Sequence, residues 1–183
     1  MITSPANPKP LTHHSRSAGA GLGILIGQTP LSILRRFLFG GAGGGSVASD
    51  LGLLVLRIMT GLALAFGHGR GKLPPSERFV ARVDALGFPL PELSAWIAGL
   101  GEFGGGLLVA LGLLTRPAAT AALIVVATAF FGAHAGDPFG DREKAFLFAA
   151  AMLALILSGA GRFSLDAVLE RRRGPYVDRF RRR

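Results

Sequence analysis

From residue 51 onward the chain alternates between long apolar runs and short polar interruptions. Four such runs, 51–69, 93–114, 118–135 and 144–161, are separated by a polar loop at 70–92, a tight turn at 115–117 and the stretch GDPFGDRE. A helix of ~20 mostly apolar residues crosses a bilayer, because only a fully hydrogen-bonded backbone tolerates hydrocarbon. The pattern therefore predicts an all-α membrane protein built as a four-helix transmembrane bundle. Punctuation agrees. Asp50 or Ser49 is placed to cap the first run, and Gly71, Pro74 and Pro75 end it. Pro89 and Pro91 precede the second run, Pro117 suits the first position of the third, and Gly159 and Gly161 close the fourth. Inside the loop, residues 77–86 are amphipathic and predict a short helix lying in the interface.

The flanks differ from this core. Residues 1–50 are rich in Pro, Ser and Gly with no periodic apolar face, which predicts disorder. Residues 170–183 form an arginine-rich tail. Four spans put both termini on one side, and the positive-inside rule assigns that side to the cytoplasm. Arg35, Arg36, Arg116, Arg162 and the tail arginines all fall there.

Composition narrows the class. Half of the 183 residues are hydrophobic, charged residues make up 17%, and mean hydropathy is +0.46, values of an integral membrane protein. A net charge of +9 raises nucleic acid as a partner. Yet the arginines concentrate after the last span, with no zinc pattern or aromatic platform beside them. They read as a topology signal and a contact for anionic lipid headgroups, with no nucleic acid bound. The absence of cysteine removes disulfides, thiolate nucleophiles and Cys-held clusters. Electron transfer would then need a bound cofactor or a partner protein.

Charges inside apolar runs are the candidates for chemistry. Glu102 is the single charge in 93–114, and Arg57 lies in the first run. A charge at such depth costs at least ~2.5 kcal/mol unless it faces a cavity or a partner. From the rise per residue, Glu102 sits about 14 Å from the outer end of its run and Arg57 about 9 Å from the inner end. An outward-leaning arginine can bridge that difference, so an Arg57–Glu102 pair is expected as the floor of an outward-facing polar pocket. Arg57 and His68, eleven residues apart, share a helix face. His68, Lys72, His134 and Glu143 form the expected rim. The competing reading treats the pair as a lock between helices and the rim as ordinary interfacial residues. No HxxxH or ExxH spacing supports a metal site. Gly101 and Gly105 form a GxxxG pattern suited to helix packing.

Three segments together resemble the DoxX family of membrane proteins. They are LRIMTGLALAFGHGRGKL, with Arg57, His68, Gly69 and Lys72; GEFGGGLLVALGLLTRPAA, with Glu102, Thr115 and Arg116; and GAGRFSLDAVL, with Gly161, Arg162, Ser164, Leu165 and Asp166. The resemblance covers about residues 51–169 and implies a four-helix membrane bundle. It further implies a subunit of a quinone-linked oxidoreductase, or a membrane complex handling oxidative stress or thiols. On that basis Glu102, Arg57 and His68 are the expected catalytic residues, and His134, Lys72 and Glu143 the expected ligand-binding ones. Quinone would be the bound ring, and a soluble redox partner would supply electrons. The other reading is a non-enzymatic scaffold recruiting such a partner, in the cytoplasmic membrane and possible as a homo-oligomer.

Overall fold

The computed structural model describes residues 46–171, all of whose regular elements are helical. The expectation of disorder covered residues 1–50: residues 1–45, like the tail beyond residue 171, lie outside the described residues, while Val47–Asp50 are helical. α1 spans Val47–Leu64, and its rod continues through a π-helical turn, Ala65–Gly69, and a 3₁₀ turn, Arg70–Lys72. α2 is Glu77–Ala85, α3 Pro91–Leu111, α4 Thr115–Thr128 with a π-helical extension Ala129–Ala133, and α5 Phe139–Ser158. Residues 165–171 form a last helical segment.

Among the described residues, three helices are long and apolar enough to cross a membrane: Val47–Lys72, Pro91–Leu111 and Thr115–Ala133. α5 is equally long but carries Asp141, Arg142, Glu143 and Lys144 in its first turns, which shortens its apolar stretch. α3 lies between α1 and α4, α4 packs on α5, and α5 returns to α1. The core between them is small: Leu64, Val109, Ala118, Ala119, Ala122, Val126, Met152 and Leu155. Most large apolar side chains instead point outward, among them Met59, Ile97, Ile124, Phe131 and Leu157. In water such a surface would be a liability; in a bilayer it is the lipid-facing coat.

Several boundaries differ from the sequence reading. α1 starts at Val47, capped by Ser46, whose hydroxyl accepts from Ser49 N at 3.2 Å. Neither Ser49 nor Asp50 is the cap: Asp50 is a buried residue inside the helix with a different partner. The turn between α3 and α4 falls at 112–114, where Gly112 (φ 69°) and Leu114 (φ 48°) take left-handed conformations. Pro117 is consequently the third residue of α4, still in the first turn, where its missing N–H leaves no bond unmade. The short amphipathic helix expected in the loop is present as α2, capped by Ser76, which accepts from Phe79 N at 3.3 Å.

Helix approach depends on missing side chains. A Cβ on Gly61 would meet Gly106 O and Ala110 N of α3, and one on Gly69 would run into the Phe103 backbone. Gly101 and Gly105 face the other way, toward Val125 and Ala118 of α4. The GxxxG face therefore packs α3 on α4, while Gly61 and Gly69 let α1 lie close on the opposite side.

Candidate functional site

The close approach at Gly69 fixes the geometry of the site. It presses the end of α1 against the Glu102–Phe103 backbone, and Lys72 lies one 3₁₀ turn further on. From there Lys72 Nζ donates to Glu102 Oε1 at 2.6 Å. The Glu102 side chain is 4% exposed and that of Lys72 28%, so the pair is sealed on the carboxylate side and reachable on the ammonium side. Phe79 of α2 covers the ammonium, its ring centroid 5.5 Å from Nζ. Glu102 Oε2 is buried and has no hydrogen-bond partner among the described residues.

This pair forms part of the wall of a cavity of about 890 Å³ between α2 and α3, α4 and α5. Leu64, Ile97, Val126 and Phe148 give it an apolar interior, while Arg78, Arg82, Asp141 and Lys144 lie around it with His68 and His134. Drug-sized ligands fill cavities of roughly 300–1,000 Å³, mostly apolar with a few convergent polar groups. His68 meets Phe148 edge to face, with centroids 5.3 Å apart. His134 Nδ1 lies 2.6 Å from Asp137 Oδ2.

Both histidines are delivered by π-helical turns. His68 lies within Ala65–Gly69, and His134 directly follows Ala129–Ala133. A π turn spends more residues per turn than an α-helix and rotates everything after it. His68 lines the cavity and Arg57, eleven residues earlier in the same rod, does not.

The expected Arg57–Glu102 pair is not formed, and this corrects the sequence reading. Arg57 is fully buried at the other end of the bundle, where Nη2 donates to Phe163 O at 2.6 Å and Asp166 supplies the opposing charge. Lys72, expected only at the rim, is the actual partner of Glu102. Glu143 also departs from expectation. It is exposed, whereas Asp141 and Lys144, three apart on one helix face, are cavity-lining. Glu102, His68, His134 and Lys72 are brought together; Arg57 and Glu143 are not.

The opposite end of the bundle has its own polar cluster. Asp166 accepts from Leu114 N at 2.8 Å and Thr115 N at 2.9 Å, capping α4, and its own N–H donates to Gly112 O at 2.9 Å. Asp50 Oδ1 accepts from Arg162 N at 3.0 Å. Ser164 Oγ donates to Gly161 O at 2.8 Å and accepts from Ala167 N at 3.1 Å. The segment 161–167 is thus a clasp over the ends of α1, α3 and α4. Its residues stood in the GAGRFSLDAVL motif, but their role depends on contacts some fifty to a hundred residues away, which no local pattern reveals.

Residues 52–135 match the DoxX family model. Inner membrane protein YphA of Escherichia coli (strain K12) is 32% identical over 145 residues, covering 74% of this chain and 99% of that protein. The Bacillus subtilis (strain 168) protein named "Putative oxidoreductase CatD" is 30% identical over 118 residues, covering 64% of this chain and 86% of that one. Inner membrane protein YqjF of Escherichia coli (strain K12) is 30% identical over 132 residues, covering 67% and 95%. No solved structure matches.

Proposed function

This chain belongs to the DoxX family, and from that premise we propose that it is an integral membrane subunit of a quinone-linked oxidoreductase system. Its ligand is a quinone or a similar flat apolar ring, and the cavity beneath α2 is where it binds. One observation carries this reading: a nearly buried carboxylate with one oxygen left unpartnered stands in the wall of a mostly apolar cavity. A lock between helices would leave no such hollow beside the carboxylate. The word oxidoreductase in one relative's name adds weight.

The residues fit such a ring. Its faces would lie against Ile97, Val126 and Phe148, and its polar edge would meet Glu102 and Lys72. A bound quinone supplies two-electron chemistry that a chain without cysteine lacks. Lys72 holds Glu102 in position, and Glu102 offers an acceptor at the ring's polar edge. His68 and His134, whose side-chain class exchanges protons near neutral pH, stand between the cavity and the surface. Electrons come from a soluble redox partner.

The membrane placement belongs to the same proposal. α5 makes the fourth crossing, both termini are cytoplasmic, and the cavity opens on the outer side of the cell membrane. Arg116, Arg162 and Arg171, near the clasp end, support this orientation, and the C-terminal arginines would meet anionic lipid headgroups. Mass spectrometry of small molecules co-purifying in mild detergent tests the ligand. Recovery of quinone is expected; recovery of phospholipid alone would overturn the reading in favour of a scaffold.

A further inference from the structure

We propose that the ring taken by this cavity is an anionic one, carrying a carboxylate or similar acidic substituent. This inference rests on the ring-binding reading above and adds the chemical class of the substituent. Its ground is an excess of accessible positive charge in the cavity wall. Lys72, Arg78, Arg82 and Lys144 line the cavity, against Glu102 and Asp141. Lys72 and Glu102 balance one another as a pair at 2.6 Å. That leaves Arg78, Arg82 and Lys144 against Asp141. All four are exposed, so none is sealed from a ligand. None of the three cations makes an ion pair or a side-chain hydrogen bond among the described residues. Asp141, three residues from Lys144 on one helix face, offsets at most one of them. The two histidines of the wall are otherwise engaged, His134 with Asp137 and His68 with the Phe148 ring.

The arginines are not turned away from the hollow. Arg78 and Arg82 lie four apart on α2, on the face that also brings Phe79, Val83 and Leu86 into the wall. Glu77 and Asp84, the acids of α2, do not line the cavity. Lys144 joins them from α5. Like charges gathered at one hollow repel each other, and a concave wall of one sign concentrates counter-ions. An arginine fork donates to a carboxylate through two parallel N–H bonds. A neutral ring of the same shape satisfies the apolar walls equally well but leaves this charge uncompensated. The acidic substituent goes to α2 rather than to Glu102, whose own charge would repel it.

Exposed charge pairs are individually weak, and two or three acting together give an expected preference of about fivefold to tenfold for the anion. Because these cations face solvent, salt screens them: the Debye length falls from ~10 Å at 0.1 M to ~3 Å at 1 M.

The test is equilibrium dialysis of the full-length protein in uncharged detergent micelles, corrected for uptake by protein-free micelles. The probes are 2-naphthoate and 2-naphthamide, which share ring and shape and differ in charge. At low ionic strength the naphthoate is expected to bind about fivefold to tenfold more tightly, and the preference to fall below about twofold in ~1 M sodium chloride. Arg78→Gln combined with Arg82→Gln, on the exposed side of a short helix, should remove most of the preference and leave the naphthamide affinity unchanged. Equal affinity for the two probes would overturn the inference while leaving ring binding intact. A preference that survives both the double variant and Lys144→Gln would overturn it, since other groups would then be responsible. A preference abolished by adding phosphatidylglycerol to the micelles would give the arginines to lipid headgroups and overturn it as well. Binding of neither probe would overturn both the inference and the ring-binding reading.

Discussion

The two ends of the bundle each bury charge, and they do so in opposite ways. At the clasp end, Asp166 uses both oxygens on backbone N–H groups, and Arg57 meets Phe163 O and the Asp166 charge. Arg57 does not line the cavity. At the cavity end, Glu102 has one oxygen paired, one unpaired, and a hollow beside it. Burial of a charge is common to both, so burial alone does not mark function. What separates them is the hollow: Arg57 Nε and Nη1 are also buried without a partner among the described residues, but of the two groups only Glu102 stands in the cavity wall.

Substitutions should divide along this line. The largest stability effect is expected for Asp166→Ala, which uncaps α4 and removes the charge facing Arg57. Breaking a buried pair costs about 3–5 kcal/mol, and thermal unfolding in detergent should show that loss. A variant as stable as the parent would refute the clasp. Next comes Gly112→Ala: its Cβ would overlap Arg57 Nη1, and φ is 69°. Overpacking and backbone strain together predict a cost of about 2–4 kcal/mol by the same measurement.

Glu102→Gln should invert the pattern. Lys72 can rehydrate and the amide fills the same volume, so the stability change is expected to be about 1 kcal/mol or less. Quinone-dependent electron flow in membranes should nevertheless be abolished. Unchanged flow would remove Glu102 from the mechanism. Smallest of all is Asp137→Asn. The His134–Asp137 pair is 43% and 45% exposed, and such pairs contribute about 0–1 kcal/mol, so a thermal scan should barely move.

The fold was legible in the sequence because apolar periodicity and length decide it. Three spans, the short amphipathic helix in the loop and the packing role of Gly101 and Gly105 all follow from spacing and composition. The fourth helix is present, but its charged first turns set it apart from the other three. Glu102 and the histidines were also legible, because an ionisable group in an apolar run is conspicuous. The pairing was not. Counting residues places Arg57 at the level of Glu102, whereas it lies level with Gly112, ten residues further on at the C-terminal end of α3. The π-helical turn at Ala65–Gly69 follows Arg57 and so bears on His68 and Lys72 instead. Lys72 reaches Glu102 because Gly69 allows a close crossing, a tertiary fact invisible in local pattern. Glu143 was misplaced for a similar reason: without the start of α5, its phase relative to Asp141 and Lys144 was unknown.

The clasp carries a consequence for biosynthesis. Phe163 and Asp166 follow all the hydrophobic helices in the chain, yet they complete the backbone bonding of the α3–α4 turn and shield the Arg57 guanidinium. Insertion can place the helices in order as they emerge. The seam at that end stays unsealed until translation has passed residue 166. A message truncated just after α5 would therefore yield a protein with every hydrophobic helix present and a raw, charged gap at its base, a natural target for membrane quality control.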